Sequence, residues 1–360
     1  MSDDGIPTDE LGELAVDRQV GHRRTTLADV ARVARVSTAT VSRFFSSPDA
    51  VSPALRARVE TAVRDLHYVP DASARALVTG RTNTLGFVIP TLDVATFALG
   101  VQSFQSQLAE SNYTLLMANS NYDLAEEARQ VRALVARGVD GIVMVGMEHE
   151  DGLTKFLDEF EIPFVNTWVY EPDSEYPCVG FDNGEAMRRM GRYVLDMGHR
   201  DVALIIGGLS DENDRSKGRI EGLKKAMAER GLSLPSDRII ERKYGITEGR
   251  DAFRQLMALE SPPTAVICGS DVYAIGAILD CKRMGIRVPE DVSVSGFDDL
   301  EISRHLNPSL TAVNVPAREM GRLAAEYLLA RLADQPAAKR TELDCVLSVR
   351  NSVAPPPVRT

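Results

Sequence analysis

Residues 25–45 read TTLADVARVARVSTATVSRFF, two short amphipathic segments almost back to back, the second crowded with hydroxyls and carrying an arginine near its end. Thr26 and Asp29 have the T-x-x-D spacing of a capping box, and Leu27, Val30 and Ala34 share one face of the segment they open. This spacing predicts a first helix over about 27–34. Ser37 is a good cap for a second segment, in which Val41, Phe44 and Phe45 recur at three- and four-residue steps and turn Thr38, Ala39, Ser42 and Arg43 outward. That predicts a helix over about 38–45. Ser52 before Pro53 reads as a cap followed by proline at the first helical position, and Leu55, Val59, Ala62, Val63 and Leu66 continue a helical period.

Two short helices joined by a tight turn and braced by a third form a helix-turn-helix, whose second helix can enter the major groove. Small side chains at Ser37, Thr38, Ala39 and Thr40 would let that helix approach base edges closely, with hydroxyls bonding bases or phosphates and methyls meeting thymine. Ser42 and Arg43 follow on the same outward face, and Arg43 is long enough to reach a base or the backbone. Thr26 and Leu27, at the start of the first helix, complete this DNA-facing set. On pattern alone, a three-helix cap on a larger protein remains the alternative.

Charge bears on the choice. The 360-residue chain has a net charge of −11, which taken whole argues against a polyanionic partner. The distribution is uneven: residues 1–21 hold six acids and one base, residues 22–83 hold ten Lys/Arg against five Asp/Glu, and the rest holds thirty against forty-one. A compact basic block ahead of a large acidic body suggests one module that meets a polyanion and another that does not. An apolar content of 44% is ample for buried cores. No apolar run approaches the roughly 20 residues of a membrane span, and residues 1–21 are too acidic for a secretory signal, so the expected location is the cytoplasm, with no membrane partner. Cys178, Cys268, Cys281 and Cys345 are far apart, without metal-ligand spacing, and read as buried thiols.

With these helices in hand, the chain resembles the LacI/GalR family of bacterial transcription regulators. The resemblance rests on TLADVARVARVSTATVSRFF, VSPALRARVETAVRDLHYVP and DASARALVTGRTNTLGFVIP, and runs from about residue 25 to 353. It implies a hinge at 71–79 that folds into a helix only on the operator, with Leu77 wedging between the central base pairs from the minor groove and Ala74 close by. ASARAL is helix-prone but too short to stand alone, consistent with that role. Two positions depart from the family: Arg35 stands where glycine is usual in the turn, and Asp71 where asparagine is common.

From Thr84 onward, short apolar runs (LGFVIP, YTLLMAN, GVDGIVMVG, IPFVNTW, DVALIIGG, TAVICGSD and VSVSGFDD) alternate with helical stretches, predicting parallel sheets covered on both faces. There is no P-loop, phosphate-binding GxGxxG, GxSxG or HExxH. Glu148, His149, Glu150 and Asp151 could suggest a metal, but a solvated loop is the preferred reading, and neither metal nor cofactor is expected. The resemblance implies an α/β periplasmic-binding-protein-like effector domain of two Rossmann-like subdomains joined by three crossing segments. Carried over by position, the R-x-x-G motif is Arg219 to Gly222, and the strand-end aspartate of GFDD is Asp298. Thr96, Phe97 and Trp168 match ligand-facing positions. Ser270 stands where relatives have asparagine, and Ile246 where an aromatic is frequent.

The expected organisation is a disordered acidic extension at 1–24, a helix-turn-helix domain at 25–70, a hinge and linker at 71–83, an effector-binding and dimerisation domain at 84–353, and a loose tail at 354–360. Within the effector domain, one subdomain takes about 84–184 and 316–337 and the other about 185–315 and 338–353. The function expected is that of a homodimeric regulator, a repressor, binding a pseudo-palindromic double-stranded operator and a small sugar or sugar acid. The rivals are a solute-binding protein, which calls for an export signal and no basic block, and a cleft enzyme using Asp298 and Asp299.

Overall fold

The computed structural model describes residues 25–70, 80–208 and 213–358, in two units that divide between Gly80 and Arg81. The extension 1–24 lies outside the described residues, as do Asp71, Ala74 and Leu77.

In the first unit, α1 (Leu27–Ala34), α2 (Thr38–Ser46) and α3 (Pro53–Asp65) pack around Val30, Ala31, Val41, Val59 and Ala62, with Phe44 and Phe45 half-buried against them. The Thr26–Asp29 capping box is complete, since each side chain accepts the other's backbone N–H. The bonds from Thr26, aided by Arg32, hold the Asp29 carboxyl down at about 2. Ser37 caps α2 by accepting from the Thr40 N–H. Ser52 departs from expectation: its hydroxyl makes no capping bond, and Pro53 alone marks the start of α3.

The turn between α1 and α2 explains how an arginine can stand in a glycine position. Arg35 ends α1 in the left-handed conformation at φ 50°, where a side chain crowds its own backbone. Arg58 on α3 donates to the carbonyls of Ala34 at 2.6 Å and Arg35 at 2.7 Å, satisfying oxygens that a helix end leaves open.

The second unit holds two subdomains. The first begins with β1 (Thr84–Ile89), α4 (Ala95–Glu110), β2 (Thr114–Asn119), α5 (Leu124–Ala136), β3 (Gly141–Val145), α6 (Leu153–Glu159), β4 (Phe164–Thr167) and β5 (Cys178–Gly180). The chain then crosses to α7 (Asn183–Asp196), β6 (Val202–Gly207), α8 (Asp214–Ala228), β7 (Ile239–Arg242), α9 (Ile246–Met257), β8 (Ala265–Cys268), α10 (Asp271–Met284), β9 (Ser293–Asp298) and β10 (Thr311–Asn314). It returns for α11 (Ala317–Leu332) and β11 (Arg340–Glu342), then crosses again to β12 (Val346–Ser348).

The two sheets have the same layout, β11-β5-β4-β3-β1-β2 and β12-β10-β9-β8-β6-β7, with every pair parallel except the antiparallel β10–β12. Central strands such as β3 and β6 are buried throughout, as helices on both faces require. The crossings run through 181–182, 315–316 and 343–345. The last corrects the expected changeover after 337, because Arg340–Glu342 pairs with β5 in the first sheet. The tail also differs from expectation. The Ala354 N–H donates to Ser293, its carbonyl lies 2.8 Å from the buried His199 ring, and the chain is tied down at least that far. All four cysteines are buried and free, and no described helix is long and apolar enough to cross a membrane.

Replacing Arg58 by Ala should lower the stability of the first unit by about 1 kcal/mol, and Arg35→Gly should raise it by up to about 1 kcal/mol. Hydrogen exchange over α1 and α3 measures both. Identical exchange in all three proteins would mean that the turn carries no strain.

Candidate functional site

Two surfaces carry the residues singled out by the sequence. On the first unit, Ser37, Thr38, Ala39, Ser42 and Arg43 are exposed around the N-terminal half of α2, while Val41 points into the core. Thr40 is half-buried and shares a 2.9 Å bond with the Ser37 hydroxyl. Leu27 is also half-buried and packs against the core, so its side chain is divided between core and surface. The free N–H groups at the start of α2 and the arginine one turn on make this face suited to phosphate and base edges.

On the second unit, the C-terminal ends of both sheets face one cleft, where open parallel sheets hold ligands. Arg219 on α8 is 6% exposed. Its Nε donates to Asn183 Oδ1 at 2.9 Å, its Nη1 donates to the Gly269 carbonyl at 2.7 Å, and the guanidinium lies 3.8 Å over the Phe297 ring. Asn183, at the first crossing, in turn donates to the Trp168 carbonyl at 2.9 Å. Trp168 is buried at φ 60° with its ring 5.1 Å from Phe97, and Thr96 is buried beside Phe97 on the first turn of α4. The indole Nε1 of Trp168 is buried without a hydrogen-bond partner. Ser270, the cap residue of α10, donates to Asp298 at 2.8 Å.

Asp298 sits at φ 118°, a strained conformation for a residue with a side chain. Burial raises its carboxyl to about 6, against the lowering effects of Arg219 and Ser270. Burial also pushes the neighbouring Asp271 well above the carboxylate range, with the charge of Asp298 adding to the shift. Asp299 behaves differently: burial opposes its ionisation, but bonds from Ser348, Asn314 and Arg350 outweigh this and keep its carboxyl below the usual value. The second candidate acid of a cleft enzyme is therefore committed to bracing β10 and β12.

Two expectations need correction. Ile246 is 44% exposed at the start of α9; the aromatic at this wall is Tyr244, two residues earlier, stacked on Tyr273 at 5.5 Å and on Tyr122 of the opposite subdomain at 5.2 Å. The loop after β3 is not freely solvated. His149 is buried between Glu127 at 2.7 Å and Asn166 at 3.1 Å, Glu148 pairs with Lys217, and Glu150 pairs with Arg132. No metal-binding group occurs among the described residues.

Residues 26–71 match the model of bacterial regulatory proteins of the lacI family, and residues 192–353 match a periplasmic binding protein-like domain. The HTH-type transcriptional repressor PurR of Salmonella paratyphi A is 33% identical over 337 residues, covering 93% of this chain and 98% of that protein. The chain belongs to the LacI family. It is thus a DNA-binding transcription regulator and not an enzyme. Among solved structures, a LacI-family regulator from Silicibacter pomeroyi is 25% identical with a TM-score of 0.84, covering 92% of this chain and 99% of its own. The CelR–cellobiose complex is 29% identical with a TM-score of 0.67, covering 91% and 100%.

Sequence reasoning on this LacI-family chain overlooked Asn183, Tyr122 and Tyr244. The tyrosines had a signal, since each lies within three residues of the C-terminal end of a strand, the sheet end where ligands bind. Asn183 had none.

The raised Asp298 carboxyl has a measurable consequence. Folded, it keeps its proton to about pH 6; unfolded, it loses it near its ordinary value of 3.8. Between these values the folded chain binds more protons, so stability falls as pH rises through the window. Denaturant unfolding of Asp298→Asn from pH 4 to 7 should show a shallower decline than the parent, the difference reaching at most on the order of 3 kcal/mol. Superimposable pH profiles would mean that Asp298 is ionised throughout in the folded chain.

Proposed function

We propose that this regulator acts as a homodimeric repressor, binding a pseudo-palindromic operator under the control of a small sugar or sugar acid in the cleft. The observation that carries the reading is that buried Arg219 and Asp298 face the same cleft as Phe97, Trp168 and Tyr244. A donor and an acceptor held in fixed geometry suit the hydroxyls of a polyol, and aromatic rings suit the apolar face of a sugar. The similarity to CelR, solved with cellobiose, supports this ligand class.

On the DNA side, Ser37, Thr38, Ala39, Thr40, Ser42 and Arg43 read the major groove, with Thr26 and Leu27 at its margin and Ala74 and Leu77 in the minor groove. Two subunits present two such sets because a symmetric protein reads a symmetric site. Effector binding alters the closure of the subdomains and, through them, the spacing of the hinges, so effector and operator affinities are linked reciprocally. A cytoplasmic location accords with a protein whose partner is the chromosome.

The test is a titration of the full chain onto a short duplex carrying a pseudo-palindrome with a central CG step, taken from its own upstream region, at several salt concentrations and with a panel of sugars and sugar acids. One compound should shift specific binding, and Arg219→Ala should abolish that shift while the protein stays folded. Leu77→Ala should weaken specific operator binding and leave effector binding intact. Specific binding that no sugar alters would overturn the ligand class, and an unchanged dose response in Arg219→Ala would overturn the pocket.

A further inference from the structure

The three crossings lie together along one side of the second unit, next to β5, β10, β11 and β12. Tyr122 follows β2 and Tyr244 follows β7, the strands at the far edges of the two sheets. Each is four strand spacings from the strand that leads into a crossing, roughly 19 Å at about 4.8 Å per strand. Contacts on that side act at the end of a lever pivoted on the crossings.

Nearer the crossings, where β3 ends two strand spacings from β5, further contacts between the subdomains involve the start of α8. The Met147 N–H of the first subdomain donates to Asp214 Oδ2 at 2.6 Å, while Asp214 Oδ1 accepts from the Arg215 N–H and guanidinium. Arg215, 9% exposed, donates from Nη1 to the Val145 carbonyl at 3.1 Å. Gly146 between them is the socket: at φ 95°, a Cβ there would lie 2.1 Å from Arg215 Nη1 and 3.0 Å from Asp214 Oδ1. The Lys217–Glu148 pair at 3.0 Å and the Tyr122–Tyr244 stack complete the closure.

We propose that Asp214 and Arg215, seated on Gly146, form a latch that sets the equilibrium between closed and open clefts, as positioning residues acting through the subdomain angle. The proposal rests on the reading of the cleft as the effector site. The chemistry favours a switchable contact over a permanent one. The two side chains neutralise each other, so release leaves an ion pair that water can solvate, while the freed groups on the first subdomain are a single N–H and a single C=O. An apolar seal of the same area would have no such alternative.

The test uses the full chain and neither DNA nor effector, so its failure is distinct from failure of the regulator reading. Spin labels are placed on Asn121→Cys and Lys243→Cys, exposed neighbours of the stacked tyrosines, and the Met147 amide is followed by hydrogen exchange. In Asp214→Ala, the Met147 amide should exchange at least tenfold faster and the label distance should gain a longer population, with the thermal midpoint of the second unit unchanged. Asp214→Asn, which retains an acceptor oxygen, should restore the short distance. Gly146→Val should open the mouth in the same way, and Asp214→Ala decides the matter should the valine variant fail to fold. A single short distance with unaltered Met147 exchange in Asp214→Ala would overturn the proposal.

Discussion

Burying the Arg219 guanidinium in the cleft requires separate parts of the chain to converge on it. A charge taken out of water needs hydrogen-bonding and charged partners, or it disrupts the fold around it. Asn183 supplies an oxygen from the first crossing, Gly269 a carbonyl from the end of β8, Phe297 a ring face and Asp298 a charge from the end of β9. Because α8, α7, β8 and β9 each contribute, their register is set by one side chain. The effect of burial in the same cleft appears at Asp298, which adopts a strained backbone and, against the pull of Arg219, holds its proton to about pH 6. Strain and a perturbed acid beside a buried cation are features of a binding site rather than of an inert core.

The central strands were legible because parallel strands covered on both faces are apolar throughout: LGFVIP, GIVMVG and VALIIG contain no alternation to misread. The short strands on the crossing side of the sheets were not. CVG, TAVN, RTE and VLS are three or four residues long, and nothing in so short a run distinguishes a strand from a loop. Missing RTE displaced the third crossing, since that strand keeps the chain in the first sheet until 342. The site was legible in part for a similar reason. Arg219, Asp298 and Trp168 lie in stretches whose pattern carries over position by position, whereas Tyr244 lies in a loop where a shift of two residues selected Ile246 instead. The loop at 148–151 was misread because local composition reports charge and not its partners: Lys217 and Glu127 are distant in sequence and adjacent in space.

The DNA-binding unit illustrates local conflict settled by a distant residue. A left-handed arginine contradicts the turn it occupies, and the compensation comes from Arg58, twenty-three residues away. Both arginines belong to the basic block, so the substitution adds positive charge next to the reading helix at the expense of turn geometry. Electrostatic attraction to phosphate is nonspecific and long-ranged, whereas turn strain is local, so one is not simply traded against the other within the same bound state.

Asn183 is where the cleft and the crossings meet. It accepts from Arg219 and donates to the Trp168 carbonyl, so it joins α8 of one subdomain to the end of β4 in the other at the point where the chain passes between them. A ligand that bonds the guanidinium competes with or reinforces the Arg219–Asn183 bond, and either change acts directly on a crossing segment. Rotation about the crossings is amplified at the far edges of the sheets, where the tyrosines lie, and is felt in part at the start of α8, nearer the crossings. A small free-energy difference at Arg219 can therefore select between discrete subdomain angles, provided that the ligand binds one of them better than the other.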